Sequence, residues 1–492
     1  MGTVLFAPLL AGMATTQILA TGFVYLSNQR ILALVTDSEK AGYFPIPSGP
    51  AADSLSSFTT AFWGGLFFTL SMGAGLTLLT WAGFQLWHLL FRRSRSTLIA
   101  YAMLWAGLLA AVNLHGMVLM PSLFCLLVPL STACVSLKAT PASETTTNFS
   151  WIIPVLTLAA LTALWATQLD RNLFTTIRDH ILLSNSAGRR VNDFYYRYTL
   201  YAAETFKSFQ QKTLRSCILE QLENKQKTRS WEERLAQYDV LALPQISRPD
   251  IRLVFSKKGL ELLSANGQGI KTTAEAFMAD PNRVLLSFSK ATDRFAPLRR
   301  MTLVGLLLGF PILLFAMVYG ALHAAAGLLF NPRQTTWTAS GICMLIGILL
   351  FLPMLNAHPV TITADSIDSA LAADQWTQRV AALRYIEEHG LEIAAYPHYR
   401  NLVTSPLVVE RYWLARAMGK SRANETYTQL LTMIHDPHPN VICQAFYALG
   451  QQGRRAAINP IKRRLVELDH WYAQWYGYGA LRKLGWQQTR SN

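Results

Sequence analysis

The chain has 492 residues, too many for one ordinary domain, and 51% of them are hydrophobic while only 15% are charged. Soluble proteins carry nearer about 25% charged residues, so the shortfall excludes a purely soluble globule and points to helices buried in lipid. The formal net charge of +15 lies mostly outside the apolar runs: residues 1–170 hold six Lys and Arg, residues 171–300 hold 22 against 13 Asp and Glu. Basic segments beside an anionic leaflet explain that balance, and no nucleic acid partner is expected.

Thr3 to Leu26 is a first apolar stretch of the length a bilayer needs, with no Lys or Arg before Arg30. A loop with Pro45, Pro47 and Pro50 follows, then a second span from Phe62 to Phe91 that ends on Arg92, Arg93 and Arg95. Thr97 to Leu137 is interrupted at Asn113, His115, Gly116 and Pro121. Lys138 to Ser150 is rich in Thr and Ser, and Trp151 to Leu169 is a further span that leads into Arg171 and Arg178. Met301 to Phe330 and Trp337 to Leu355 form a last pair behind Arg299 and Arg300. If both basic clusters stand on the inner face, an even number of crossings separates them, so 97–137 is expected to cross once, or to cross once and then re-enter. That predicts about six spans in the cell's inner, cytoplasmic membrane, with both termini and the soluble segments cytoplasmic. The expected divisions are a transmembrane region at 1–170, a basic soluble domain at 171–298, a transmembrane hairpin at 299–357 and a repeat domain at 373–492.

The spans contain no Asp, Glu, Lys or Arg, which argues against ion-coupled transport. Gly305 and Gly309 form a GxxxG, and Ser71 and Gly75 share that spacing. Small residues so spaced let helix backbones approach closely, within this chain or against a partner's membrane helix. His115 and His323 are the one histidine pair that could ligate a haem, although a histidine hydrogen-bonded to a neighbouring helix is the commoner use. Cys125, Cys134, Cys217, Cys343 and Cys443 form no CxxC or CxxCH pattern, so neither disulfide, zinc site nor attached haem is expected, and no cofactor is assigned.

In the middle segment Arg189, Arg190 and Arg197 alternate with aromatics that include Tyr195 and Tyr198, a composition suited to anionic lipid headgroups. Ala202 to about Gln237 reads as one charged helix, with Phe206, Phe209, Leu214 and Ile218 as its apolar stripe. Val240–Leu243 and Ile251–Phe255 read as strands, with a turn at Asn266-Gly267, so a small α/β module is expected. No lysine-bearing phosphate loop follows Gly267 and Gly269, and Glu261 and Glu275 read as solvated surface.

After Ala373 one pattern returns four times at intervals of 31 or 32 residues. One column is Ala382, Leu414, Ala445 and Gly477; a second is Tyr385, Ala417, Ala448 and Ala480; a third is Ile386, Met418, Leu449 and Leu481. Small and apolar residues three and four apart form the inner stripe of a helix, and helices that cannot bury that stripe alone must stack. With His435-Asp-Pro-His-Pro-Asn440, Val441 and Ala448-Leu-Gly450, residues 373–487 resemble HEAT-like repeats of the phycobilisome-lyase type. The expected fold class is therefore mainly α: a polytopic helical membrane protein with a small α/β middle module and a C-terminal α-solenoid. The resemblance implies a binding surface for a protein partner, and chromophore-lyase activity occurs among such repeats, although no catalytic residue is identified here. Arg379 and Arg411 occupy matching repeat positions, where Ile442 later stands, and Trp471, Trp475 and Trp486 enrich the last repeat; these five residues are the expected interaction surface. The reading that follows is a membrane-anchored scaffold or assembly factor, ahead of a permease subunit and a haem or redox protein.

Overall fold

The computed structural model describes residues 2–91, 94–114, 116–139, 152–167, 173–222, 224–256, 259–355 and 360–490. Arg92, Arg93, His115, Trp151, Arg171 and most of 138–150 lie outside the described residues. The chain is mainly helical, and among the described residues six helices are long and apolar enough to cross a membrane.

Helix α1 (Gly2–Lys40) is one continuous helix of 39 residues, roughly 58 Å at about 1.5 Å per residue. That is about twice the roughly 30 Å of a bilayer's hydrocarbon core, and the helix continues well past the expected end at Leu26. Helix α2 (Phe58–Phe68) passes through a π-helical turn at Thr69–Gly73 into α3 (Ala74–Leu89) and runs back along α1. A Cβ on Gly65 would sit 2.9 Å from the Thr21 backbone nitrogen, and Gly73 lies against Thr16.

The 97–137 stretch makes two helices, α4 (Arg95–Val112) and α5 (Leu119–Ala139), each of spanning length. The Asn113 side chain holds the turn: Nδ2 donates to Leu109 O and to Ser122 Oγ at 2.8 Å, and Oδ1 accepts from Val118 N at 2.8 Å. Gly116, at φ +108°, supplies a backbone conformation that L side chains rarely adopt. The stretch read as one crossing, or one crossing and a re-entry, thus holds two helices. By contrast α6 (Ile152–Ala166) is 15 residues long, short of the roughly 20 that a bilayer core takes.

Helix α7 (Ser186–Ala203) carries the aromatic segment. The helix expected from 202 to 237 is replaced by two 3-10 turns, strand β1 (Arg215–Glu220) and helix α8 (Lys225–Ala236). Its proposed stripe is divided, Phe206 entering the core shared with the spans and Phe209 the core of the sheet. Strands β2 (Val240–Ala242), β3 (Ile251–Ser256), β4 (Gly259–Leu263) and β5 (Gly269–Thr272) complete a sheet of order β2-β1-β3-β4-β5. β1 pairs parallel with β2 and β3, and β3, β4 and β5 form an antiparallel meander. Trp231 of α8 and Phe288 of α9 (Pro281–Thr292) pack in its core.

Helix α10 (Ala296–Val304) leads through a second π-helical turn, Gly305–Gly309, into α11 (Phe310–Ala326), and α12 (Pro332–Leu355) returns. Beyond it lie α13 (Trp376–His389), α14 (Val408–Ala417), α15 (Asn424–Met433), α16 (Pro439–Gln452), α17 (Ile458–Glu467) and α18 (Trp471–Lys483). The four recurring helices α13, α14, α16 and α18 pack consecutively on one another. In the repeat columns Ala382, Leu414, Ala445, Ile386, Met418, Leu449 and Leu481 are fully buried.

Loop 41–57 binds the C-terminal segment through two glutamines. Gln488 bonds both Phe44 N (3.1 Å) and Phe44 O (2.7 Å), and Gln474 bonds Ser48 N and Ser48 O, each at 2.9 Å. The Lys40 end of α1 thus lies beside the repeats and sheet. The other end lies against α11, where Gly320 faces Phe6. One apolar core runs from Ala20 and Phe68 through Tyr201 and Phe206 to the repeat helices.

Candidate interaction site

The inner ends of the repeat helices meet residues 173–203 of the same chain. In α14, Trp413 Nε1 donates to Asp179 Oδ2 (2.8 Å), and Arg178 Nη1 donates to the Tyr412 hydroxyl (2.6 Å) with its guanidinium 4.0 Å over the Tyr412 ring. Arg178 Nε also bonds Asp179 at 2.7 Å, so this buried ion pair has partners on both members, as its desolvation requires. The arginine read as a mark of the inner membrane face is thereby taken up inside the protein.

In α16, Asn440 Oδ1 accepts from Asn192 Nδ2 at 2.9 Å. His438 Nε2 lies 3.1 Å from Asp193 Oδ1 without hydrogen-bond geometry. In α18, Trp471 packs edge-on to Tyr201 at 5.0 Å and Tyr472 to Tyr196 at 4.7 Å, and Arg197 pairs with Asp469 at 3.0 Å. A cavity of about 20 Å³ remains between Tyr196, Tyr412, Asn440 and His470, room for about one water.

His438 and His470 occupy one position in successive repeats. Each accepts at Nδ1 from a backbone N–H of the helix it precedes, Asn440 N at 3.3 Å and Ala473 N at 3.4 Å. A ring nitrogen accepts only when deprotonated. Burial lowers the pKa of both: at His438 it outweighs the Asp193 and Asp436 carboxylates, and at His470 burial and then the Arg197 cation bring the value to about 4.

Four of the five residues expected to face a partner are used internally. Arg379 donates to Glu410 (2.7 Å) and to the Asp374 carbonyl (2.8 Å), while Arg411 forks onto Asp436 (2.7 and 3.1 Å) and binds Ser405 O (2.6 Å). Each arginine ties one repeat to an acid of the next, because a long fork-shaped cation at that position reaches the following turn. Trp471 is buried, and Trp486 packs edge-on to Phe44 at 6.0 Å and Tyr478 at 5.9 Å. Trp475 alone stays open, at 40% exposure.

Of the residues expected at headgroups, Arg190 and Tyr195 are exposed, the latter at 47%. Arg189 is half-buried and Arg197 is paired with Asp469. Tyr198 turns inward onto Phe194 (5.0 Å) and Trp63 (6.4 Å).

The two small-residue motifs face one another: a Cβ on Gly309 would stand 3.0 Å from Gly75 Cα, and one on Gly305 2.8 Å from the Ser71 carbonyl carbon. His323 lies in the last turn of α11, near the Gly2 end of α1. His115 is outside the described residues.

Asp179, His470 and Gln474 were not singled out from the sequence. Only the recurrence of His438 at His470, 32 residues on, left a trace there. The chain matches no protein-family model, no curated protein and no solved structure.

Proposed function

We propose that the chain is a multi-pass membrane protein whose HEAT-like repeats form a short solenoid that recruits a protein partner. The observation that carries this reading is a ribbon of touching rings, Tyr195–Tyr196–Tyr472–Trp475, at centroid spacings of 5.4, 4.7 and 5.8 Å. It is exposed at Tyr195 and Trp475 on a body tied to the helix bundle by buried hydrogen bonds. Exposed, pre-ordered aromatics suit binding hot spots, since little side-chain freedom is left to lose.

Arg190, exposed on α7, is proposed to meet anionic headgroups on the cytoplasmic face. The N terminus is inferred to lie on the other face, because the two ends of α1 stand at opposite ends of the bundle. A permease finds less support. Three hydroxyls buried between α1, α3 and α5 bond carbonyls one turn back in their own helices, Thr16 to Gly12, Thr80 to Leu76 and Thr132 to Val128, while the Thr77 hydroxyl beside them has no partner among the described residues.

A photo-crosslinking residue at Trp475 should trap a discrete protein in cells, while one at exposed Thr428 on α15 should not. Equal capture at both positions, or none at Trp475, removes the proposal. Truncation before 373 is a poor substitute test, since it would strip the core that Tyr201 and Phe206 share with the repeats.

A further inference from the structure

Beside the last repeat, a cavity of about 260 Å³ opens between the sheet module and the end of α18. Arg215, Asp239, Asn282 and Arg482 line it, with Leu285 and Leu286 as an apolar wall. Arg482 is fully engaged: Nε lies 3.4 Å from Asp239 Oδ2, Nη1 donates to Trp486 O at 2.9 Å and Nη2 to Gln237 O at 2.5 Å. Asp239 is matched in turn, its other oxygen accepting from the Tyr478 hydroxyl at 2.5 Å. Asp250, the next carboxylate, is occupied by Lys212 and by Ser216 N at 2.9 Å.

Arg215 differs. Its Nη2 donates to Tyr238 O at 2.8 Å and its guanidinium lies 5.3 Å over the Phe209 ring, but its buried Nε has no hydrogen-bond partner among the described residues. Burial disfavours its charge. The Asp239 and Asp250 carboxylates are shared among Lys212, Arg215 and Arg482, so the cluster carries one cation in excess. Asp239 itself holds φ +58°, rare for a residue with a side chain, and unusual backbone of this kind gathers at ligand sites.

We propose that this cavity binds a compact organic anion, a carboxylate or phosphate that pairs with Arg215 and rests its apolar body on Leu285 and Leu286. A guanidinium edge recognises either group through paired charge-assisted hydrogen bonds. The volume falls just under the roughly 300 Å³ at which small-molecule pockets begin, which limits the ligand to about the size of a nucleoside monophosphate. Asp239 connects the site through Tyr478 and Gln488 to Phe44, in the loop between the first two spans.

The test uses the full chain in detergent, with AMP, inorganic phosphate and benzoate as probes and adenosine and benzyl alcohol as uncharged counterparts. Calorimetry at millimolar concentration should detect at least one anion and neither neutral compound, and which anion binds separates phosphate from carboxylate. Arg215→Met should weaken that binding at least about tenfold, the loss expected for a charge-assisted bond. Should that variant fail to fold, Asn282→Trp at the exposed rim decides, because it fills the cavity and leaves Arg215 in place. Binding by none of the anions, equal binding of charged and neutral probes, or unchanged affinity in the variant that folds overturns the proposal.

Discussion

His438 and His470 are kept neutral so that each can accept a hydrogen bond at the start of a repeat helix. An unfolded histidine titrates near about 6.5, and His470 in the fold titrates at about 4. The folded value is the lower one, so the unfolded chain binds the proton more readily between them. The contribution is complete above the unfolded value and is lost as pH falls from there toward 4, in total on the order of 3 kcal/mol. The thermal midpoint of the purified protein should therefore drop across that window. His470→Asn keeps a cap acceptor that does not titrate and should flatten the drop; an equally steep profile in that variant would show that other groups carry it.

At the scale of elements, the two π-helical turns bring the 71/75 and 305/309 motifs face to face. Backbone, with no flexible side chain, stands where a Cβ on Gly305 or Gly309 would go, so neither wall can yield cheaply. Gly305→Val should destabilise by more than the roughly 1–3 kcal/mol of ordinary overpacking and lower the thermal midpoint in detergent. Gly341→Val on α12 is the control, since a Cβ there meets nothing within 4 Å. Matching midpoints for the two variants would mean that the π-turn contact contributes nothing. The repeat helices are joined by other means: fork-shaped arginines link one turn to the next, and buried small residues let successive helices close up.

For the whole molecule, the direction of each apolar helix follows from its neighbours. α2 and α3 run back along α1, and α5 runs antiparallel to α1, with Phe124 against Phe23 and Thr132 facing Gly12. The sheet, the repeats and loop 41–57 gather at one end, leaving the N terminus and the α3–α4 turn at the other. A membrane-impermeant thiol reagent, in a chain with Cys134→Ser, should label Ser96→Cys and Thr489→Cys from opposite faces. Labelling of both from one face would exclude this arrangement. Arg95, at the α3–α4 turn, and Arg178, against the repeat helices, therefore stand at opposite ends of the bundle, whereas the parity argument takes both basic clusters to stand at one.

Hydrophobic length and periodicity made the apolar helices legible, because apolar length is written into local composition. The repeat columns were legible for a related reason: each small residue answers to a helix one period away. The strands at 240 and 251 were visible too, whereas β1 was not, since its place between two parallel neighbours rests on partners distant in sequence. The candidate site was legible only as residue types. Arg379, Arg411 and Trp471 stood out as chemistry worth noticing, and nothing local says whether such a side chain meets a partner or its own chain. That was decided by tertiary structure, which lays residues 173–203 along the repeats and satisfies most of their polar and aromatic groups internally. The sequence by itself determined which segments must be buried; what they are buried against depended on contacts between residues distant in sequence, some of them, such as Trp413 with Asp179 and Gly305 with Ser71, more than two hundred positions apart.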